Sequence, residues 1–389
     1  MRTIYFDYNA TTPLDPHVRD AMLPFLGEVY GNPSSVHHIG RRARSLLDEA
    51  RERVATVWKC KPSEVVFTSG GTESDNLAIF GTARLLRGKG RHIITSSVEH
   101  HAVLHPCEYL VNKEGFEGTF LAVDAQGIVN PDAVAKALRH DTILVSIMSA
   151  NNEVGTIEPI REIAEICRKQ GVVFHTDAAQ SLGKEPFTDI HQFGADLVSV
   201  CAHKFHGPKG VGALFIHSPL QPHSLHLGGG HENERRAGTE NLASIIGFAE
   251  ATERFVREPA FNGAHLKRLT DKLIHSLGKL SNVGVHLHSP AKRLNNTVAF
   301  TVVNCDSISL LAGLDLEGIC ASSGSACSAG SLEPSHVLRA MGVPREEANS
   351  LVRFSLGRDT TEEEVEHALA VLPGIIDRVQ RNQHPRKVL

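Results

Sequence analysis

Through residues 64–216 the chain repeats one rhythm: a short unbroken apolar run, a glycine-containing or polar turn, then a longer stretch with apolar residues every three or four positions. Unbroken apolar runs suit strands buried on both faces, and the longer stretches suit amphipathic helices. The pattern therefore predicts an α/β fold with a mainly parallel sheet flanked by helices. Predicted strands cover 64–68, 92–96, 142–148, 172–175, 197–201 and 212–216, with helices over 41–58, 72–87 and 160–170.

From about residue 257 the rhythm changes to a long polar helix, strands at 283–288 and 297–303, a further helix, and a last strand at 351–355. This predicts two domains: a large one over 14–256, and a smaller α+β one formed by 1–13 with 257–389. The segment 5–13 has no place in the large sheet and is expected to pack with the small domain.

Composition narrows the function classes. A chain of 389 residues, 41% of them hydrophobic, is long enough for both cores. Its formal net charge of -4 lacks the excess of Lys and Arg that a nucleic-acid backbone requires, so nucleic acid is not an expected direct partner. No stretch reaches bilayer-spanning length, and the first ten residues lack a basic-then-apolar leader. A soluble, cytoplasmic protein is expected. Seven cysteines without CxxC spacing form neither a disulfide framework nor a structural zinc motif, so reduced thiols are expected.

In an open parallel sheet, ligands bind beyond the carboxyl ends of the strands, so the residues following each apolar run matter most. After 64–68 comes Ser69-Gly70-Gly71-Thr72-Glu73, a glycine turn opening a helix. Its free N–H groups suit a phosphate; an ordinary helix capped by Thr72 is the alternative. Asp177 ends another strand, where it would face either a protonated pyridine nitrogen or an internal cation. Lys204 follows a third, as a solvated charge or a Schiff-base amine. Together a phosphate cradle, a ring-nitrogen partner and an amine are the parts of a pyridoxal-phosphate site.

Arg353 interrupts the last strand, and its planar fork suits a substrate carboxylate or an internal ion pair. Residues 321–330 carry only small side chains around Cys327, bury almost no apolar area, and are expected to be mobile. The thiol could move between an active site and an acceptor, sit in a plain turn, or pair with Cys320. His101 and His105 have helical chelating spacing but no HExxH motif, and no metal is expected. His100 follows the strand 92–96, where it would stack on an aromatic cofactor or lie on the surface.

These residues, with Tyr5-Phe6-Asp7-Tyr8-Asn9-Ala10-Thr11-Thr12, Tyr30-Gly31-Asn32-Pro33-Ser34-Ser35 and Arg353-Phe354-Ser355-Leu356-Gly357-Arg358, resemble the cysteine desulfurases with a long cysteine loop, among fold-type I pyridoxal-phosphate enzymes. The resemblance spans nearly the whole chain. It implies that Lys204 holds the cofactor covalently, Asp177 pairs with the ring nitrogen, Gln180 with the ring hydroxyl, and His100 stacks on the ring. Asn152 would lie near that hydroxyl and the substrate, with Asn32 and Arg353 also binding substrate. Gly71, Thr72 and His203 would hold the phosphate, joined by Thr239 of a partner subunit in a homodimer. Cys201 stands where the family usually has serine, a weaker donor toward the phosphate.

The implied reaction takes sulfur from L-cysteine onto the Cys327 thiolate, whose formation a charged His100 would favour, and passes it to an acceptor such as an iron–sulfur scaffold. Selenocysteine lyase, aminotransferase and a non-catalytic docking subunit are the alternatives.

Overall fold

The computed structural model describes residues 3–261, 263–324 and 333–383. In chain order its strands are β1 (Ile4–Tyr5), β2 (Val65–Thr68), β3 (His92–Ser96), β4 (Glu117–Leu121), β5 (Thr142–Ser146), β6 (Val173–Asp177), β7 (Leu197–Cys201), β8 (Gly212–Ile216), β9 (Val285–Leu287), β10 (Thr297–Val302), β11 (Ile319–Cys320) and β12 (Val352–Ser355). Seven of them form one sheet in the order β2-β8-β7-β6-β5-β3-β4. From β4 through β7 every pairing is parallel.

The apolar run of β8 predicts a strand without fixing its direction, and it runs antiparallel to both β2 and β7. Because β2 lies beyond β8, it points the same way as the parallel strands. The carboxyl ends of β2, β3, β5, β6 and β7 therefore share one edge. Strands β3, β5, β7 and β8 are buried at every residue, as their unbroken apolar runs require.

Strand β4 was not among the predicted strands. Its sequence Glu-Gly-Thr-Phe-Leu is largely exposed at the sheet edge, so it carries no apolar run to mark it. The helix His38–Trp58 starts before the predicted one at 41, because His37 caps it through a hydrogen bond accepted from Gly40 N.

The main core, which includes Trp58, Phe67, Phe174 and Phe248, lies within residues 18–256. A second core draws on Phe6, Tyr8, Phe261, Phe300 and Phe354, and packs the antiparallel sheet β12-β10-β9 against the helices Ala264–Gly278, Ser307–Leu316 and Glu362–Gln383. Ile4, Phe6 and Tyr8 of the N-terminal segment lie in this second core. β1 pairs in parallel with β11, and the Ser355 N–H donates to the Phe6 carbonyl. Phe6 is fully buried, which contributes about 2 kcal/mol of transfer free energy at that position alone.

Candidate active site

A cleft enclosing about 800 Å³ of space, part of it open to solvent, sits at the shared carboxyl edge. It brings together Gly71, Thr72, His100, Asn152, Asp177, Gln180, Cys201, His203, Lys204 and Arg353. Residues from five separate strand ends thus converge, with the N-terminal segment supplying Asn9 and Ala10. Two expected residues are not among its lining. Asn32 instead turns its own backbone, accepting from Ser34 N at 2.8 Å, and Thr239 lines a separate cavity beside Thr68 and Arg236. Cys327 lies outside the described residues.

Gly71 opens the helix Gly71–Leu86. The residue at the cap position is Gly70, not Thr72, and no side chain caps this end. The first-turn N–H groups therefore face the cleft without a side-chain oxygen, which favours an anion there. A Cβ on Gly71 would lie 3.7 Å from Cys201 Cβ and 3.9 Å from Ala179 Cβ. Glycine leaves that space as a cradle.

Asp177 ends β6, buried, and accepts from Ala179 N at 2.8 Å. Burial pushes its carboxyl up, while the hydrogen bond from Ala179 N and the nearby Lys204 oppose the shift. A further fixed cation at this position would stabilise the carboxylate. Behind it stands a residue the sequence analysis missed. Asp75 is fully buried in the same wall, and burial followed by repulsion from Asp177 holds its carboxyl well above the usual range. Two adjoining buried acids share their charge unequally, so the one facing a cation ionises.

Lys204 follows β7. Its Nζ donates to the carbonyls of Asn9 at 2.5 Å and Ala10 at 2.9 Å. Burial lowers its pKa, Cys201 opposes that, and Arg353 adds to it, so the free amine is more accessible than on a solvated lysine. Gln180 donates from Nε2 to the Asn9 carbonyl at 3.0 Å. His203 pairs its Nδ1 with Thr11 Oγ1 at 3.2 Å.

His100 caps the helix His101–Lys113, its Nδ1 accepting from Ala102 N at 3.1 Å. Nδ1 is therefore unprotonated and the proton sits on Nε2. Burial, then the charge of Lys204, lower the ring's pKa to about 4. The ring is therefore held neutral by burial and by the neighbouring amine, so the condition under which His100 would favour a thiolate is not met. His101 and His105 stack in parallel at 4.7 Å, and among the described residues no group of three His, Cys, Asp or Glu is placed to hold a metal.

Arg353 is buried, at 1% exposure. Its Nη2 donates to Asp7 Oδ1 and its Nη1 to the Asn152 carbonyl, both at 2.8 Å. Nε has no partner among the described residues. The internal ion pair foreseen as an alternative is present, and Arg353 also lines the cleft. Asp7 and Asn9 belong to a segment that carries the resemblance, but neither was assigned a role, since a polar residue in an unplaced N-terminal segment shows its role only once that segment docks.

These contacts fit a phosphorylated ligand with a cationic ring and an amine-reactive carbonyl: an uncapped helix end, a buried acid and a desolvated lysine in one cleft. The aminotransferase class-V family matches residues 4–368, and the chain belongs to it. Within that family it is 51% identical over 380 residues to the cysteine desulfurase IscS of Dictyoglomus turgidum, covering 97% of this chain and 96% of the relative. Among solved structures it is similar to a NifS-like protein, with 39% identity, a TM-score of 0.89 and coverage of 97% and 100%. It is also similar to SspA in complex with cysteine, with 35% identity, a TM-score of 0.80 and coverage of 92% and 100%.

Proposed function

We propose that this protein is a pyridoxal-phosphate-dependent cysteine desulfurase. It removes sulfur from L-cysteine, releases L-alanine, and carries the sulfur as a persulfide on Cys327 to an acceptor protein such as an iron–sulfur scaffold. The single observation that carries the reading is the convergence of Lys204, Asp177 and the uncapped start of the helix at Gly71 in one cleft. We read it as a cytoplasmic homodimer whose large domain spans 14–256 and whose small domain spans 1–13 and 257–389.

When bound, the cofactor supplies an electron sink for the pair left at the substrate Cα. Lys204 is its attachment point and the base for the Cα proton. Asp177 would pair with the ring nitrogen, Gln180 and Asn152 would attend the ring hydroxyl, and His100 would stack on the ring. Gly71, Thr72, Cys201 and His203 would hold the phosphate, with Thr239 contributed by the partner subunit. Arg353, with Asn32 and Asn152, holds the substrate. Arg353 lines the cleft, and its guanidinium is the cation that would meet the substrate carboxylate.

The Cys327 thiolate attacks the substrate sulfur. An S–S bond forms as the C–S bond breaks, and the released electron pair and protons complete the methyl group of alanine. The other thiols support this choice of nucleophile, because burial pushes up the pKa of each of the six described cysteines, Cys201 to about 12. A Cys327→Ala variant should keep the visible absorption of the bound cofactor and lose alanine and sulfide release from cysteine. Product release at the unaltered rate would remove Cys327 from the mechanism.

A further inference from the structure

Lys184 is 1% exposed, and among the described residues it has no salt-bridge partner. Its Nζ donates to Gln180 Oε1 at 2.6 Å and to Asn9 Oδ1 at 2.7 Å, and lies 5.3 Å from the centre of the Phe261 ring. Burying an ammonium without a counter-ion is costly. Burial, then the charges of Lys204 and Arg353, drive this amine well below the usual lysine range. A methionine would fill the same volume without that cost, so the N–H groups of Lys184 are what the position retains.

Those N–H groups decide the orientation of two amides. Both neighbours meet Lys184 with an oxygen, so Gln180 turns its Nε2 toward the Asn9 carbonyl, beside the cleft. Asn9 is fixed in the same sense. Its Oδ1 receives Lys184 and Asn296 Nδ2, and its Nδ2 donates to the Asn152 carbonyl and to Thr297 Oγ1. The Asn9 carbonyl in turn receives both Gln180 and Lys204. Lys184 does not line the cleft, yet it holds two residues that do.

We propose that Lys184 is a positioning residue: by fixing which end of the Gln180 amide faces the cleft, it makes Gln180 an N–H donor to the cofactor's ring oxygen and so favours the anionic form of that oxygen. The inference rests on the cofactor reading above. An amide free to flip would present Oε1 to the same atom and repel its negative charge.

The test is the pH midpoint of the visible band in holoenzyme, compared among the unaltered protein, Lys184→Met, Gln180→Ala and the double variant. Losing one N–H to an anion should raise the midpoint in Lys184→Met by about one pH unit, tenfold in the ionisation equilibrium. In the Gln180→Ala background the same change should move it little, because the route through the amide is already gone. An unmoved midpoint in Lys184→Met, or an equal shift in both backgrounds, overturns the proposal. Should Lys184→Met fail to fold, Lys184→Gln carries the test. It is too short to reach both oxygens, so a smaller upward shift is expected and an unmoved midpoint overturns the idea. Absence of any visible band in the unaltered protein would instead overturn the cofactor reading, leaving the two failures distinguishable.

Discussion

At the scale of the residue, the site works by desolvation. Lys204 and His100 are both lowered by burial, so the amine and the imidazole lean toward their neutral, proton-accepting forms. The sign for His100 is definite. Its folded pKa of about 4 lies below the ordinary 6.5, so its contribution to stability is fully present above about pH 6.5 and is lost as pH falls toward 4. Histidine-selective NMR of the cofactor-free protein should show a ring with a midpoint near 4 that disappears in His100→Gln. A midpoint at or above the ordinary value would contradict the neutral imidazole. The sequence made Lys204, Asp177 and Gly71 legible because each closes a strand or opens a helix. It left Asp75 and Lys184 silent, and the roles of Asp7 and Asn9 unread, because those roles arise from burial and from partners distant along the chain.

At the scale of the element, legibility followed burial. Strands β3, β7 and β8 are found at the predicted residues because all their side chains are enclosed, whereas the exposed edge strand β4 has no apolar run to read. Direction was not legible either, since an apolar run looks alike in a parallel and an antiparallel strand. The turn after β6 shows what an element demands of one residue. Gly183 has φ +77°, and a Cβ there would come 2.5 Å from Phe205 Cβ. Gly183→Ala should therefore lose at least about 2 kcal/mol in denaturant unfolding, from left-handed strain and overlap together. An unchanged midpoint would mean that the turn bends away freely.

At the scale of the whole molecule, two cores meet at the cleft, and the N-terminal segment ties them. Asn9 bonds to Asn152, Gln180 and Lys184 on one side and to Asn296, Thr297 and Ser355 on the other. That segment had no place in the predicted large sheet, and its pairing with β11 and β12 explains why: its apolar residues serve the second core. The proposed reaction depends above all on a covalent bond between the cofactor and one lysine. Borohydride reduction of the purified holoenzyme, followed by peptide mass analysis, tests it most directly. A pyridoxyl adduct on Lys204 is the predicted result; a reduced protein with that lysine unmodified, or with the adduct on Lys184 instead, would contradict it.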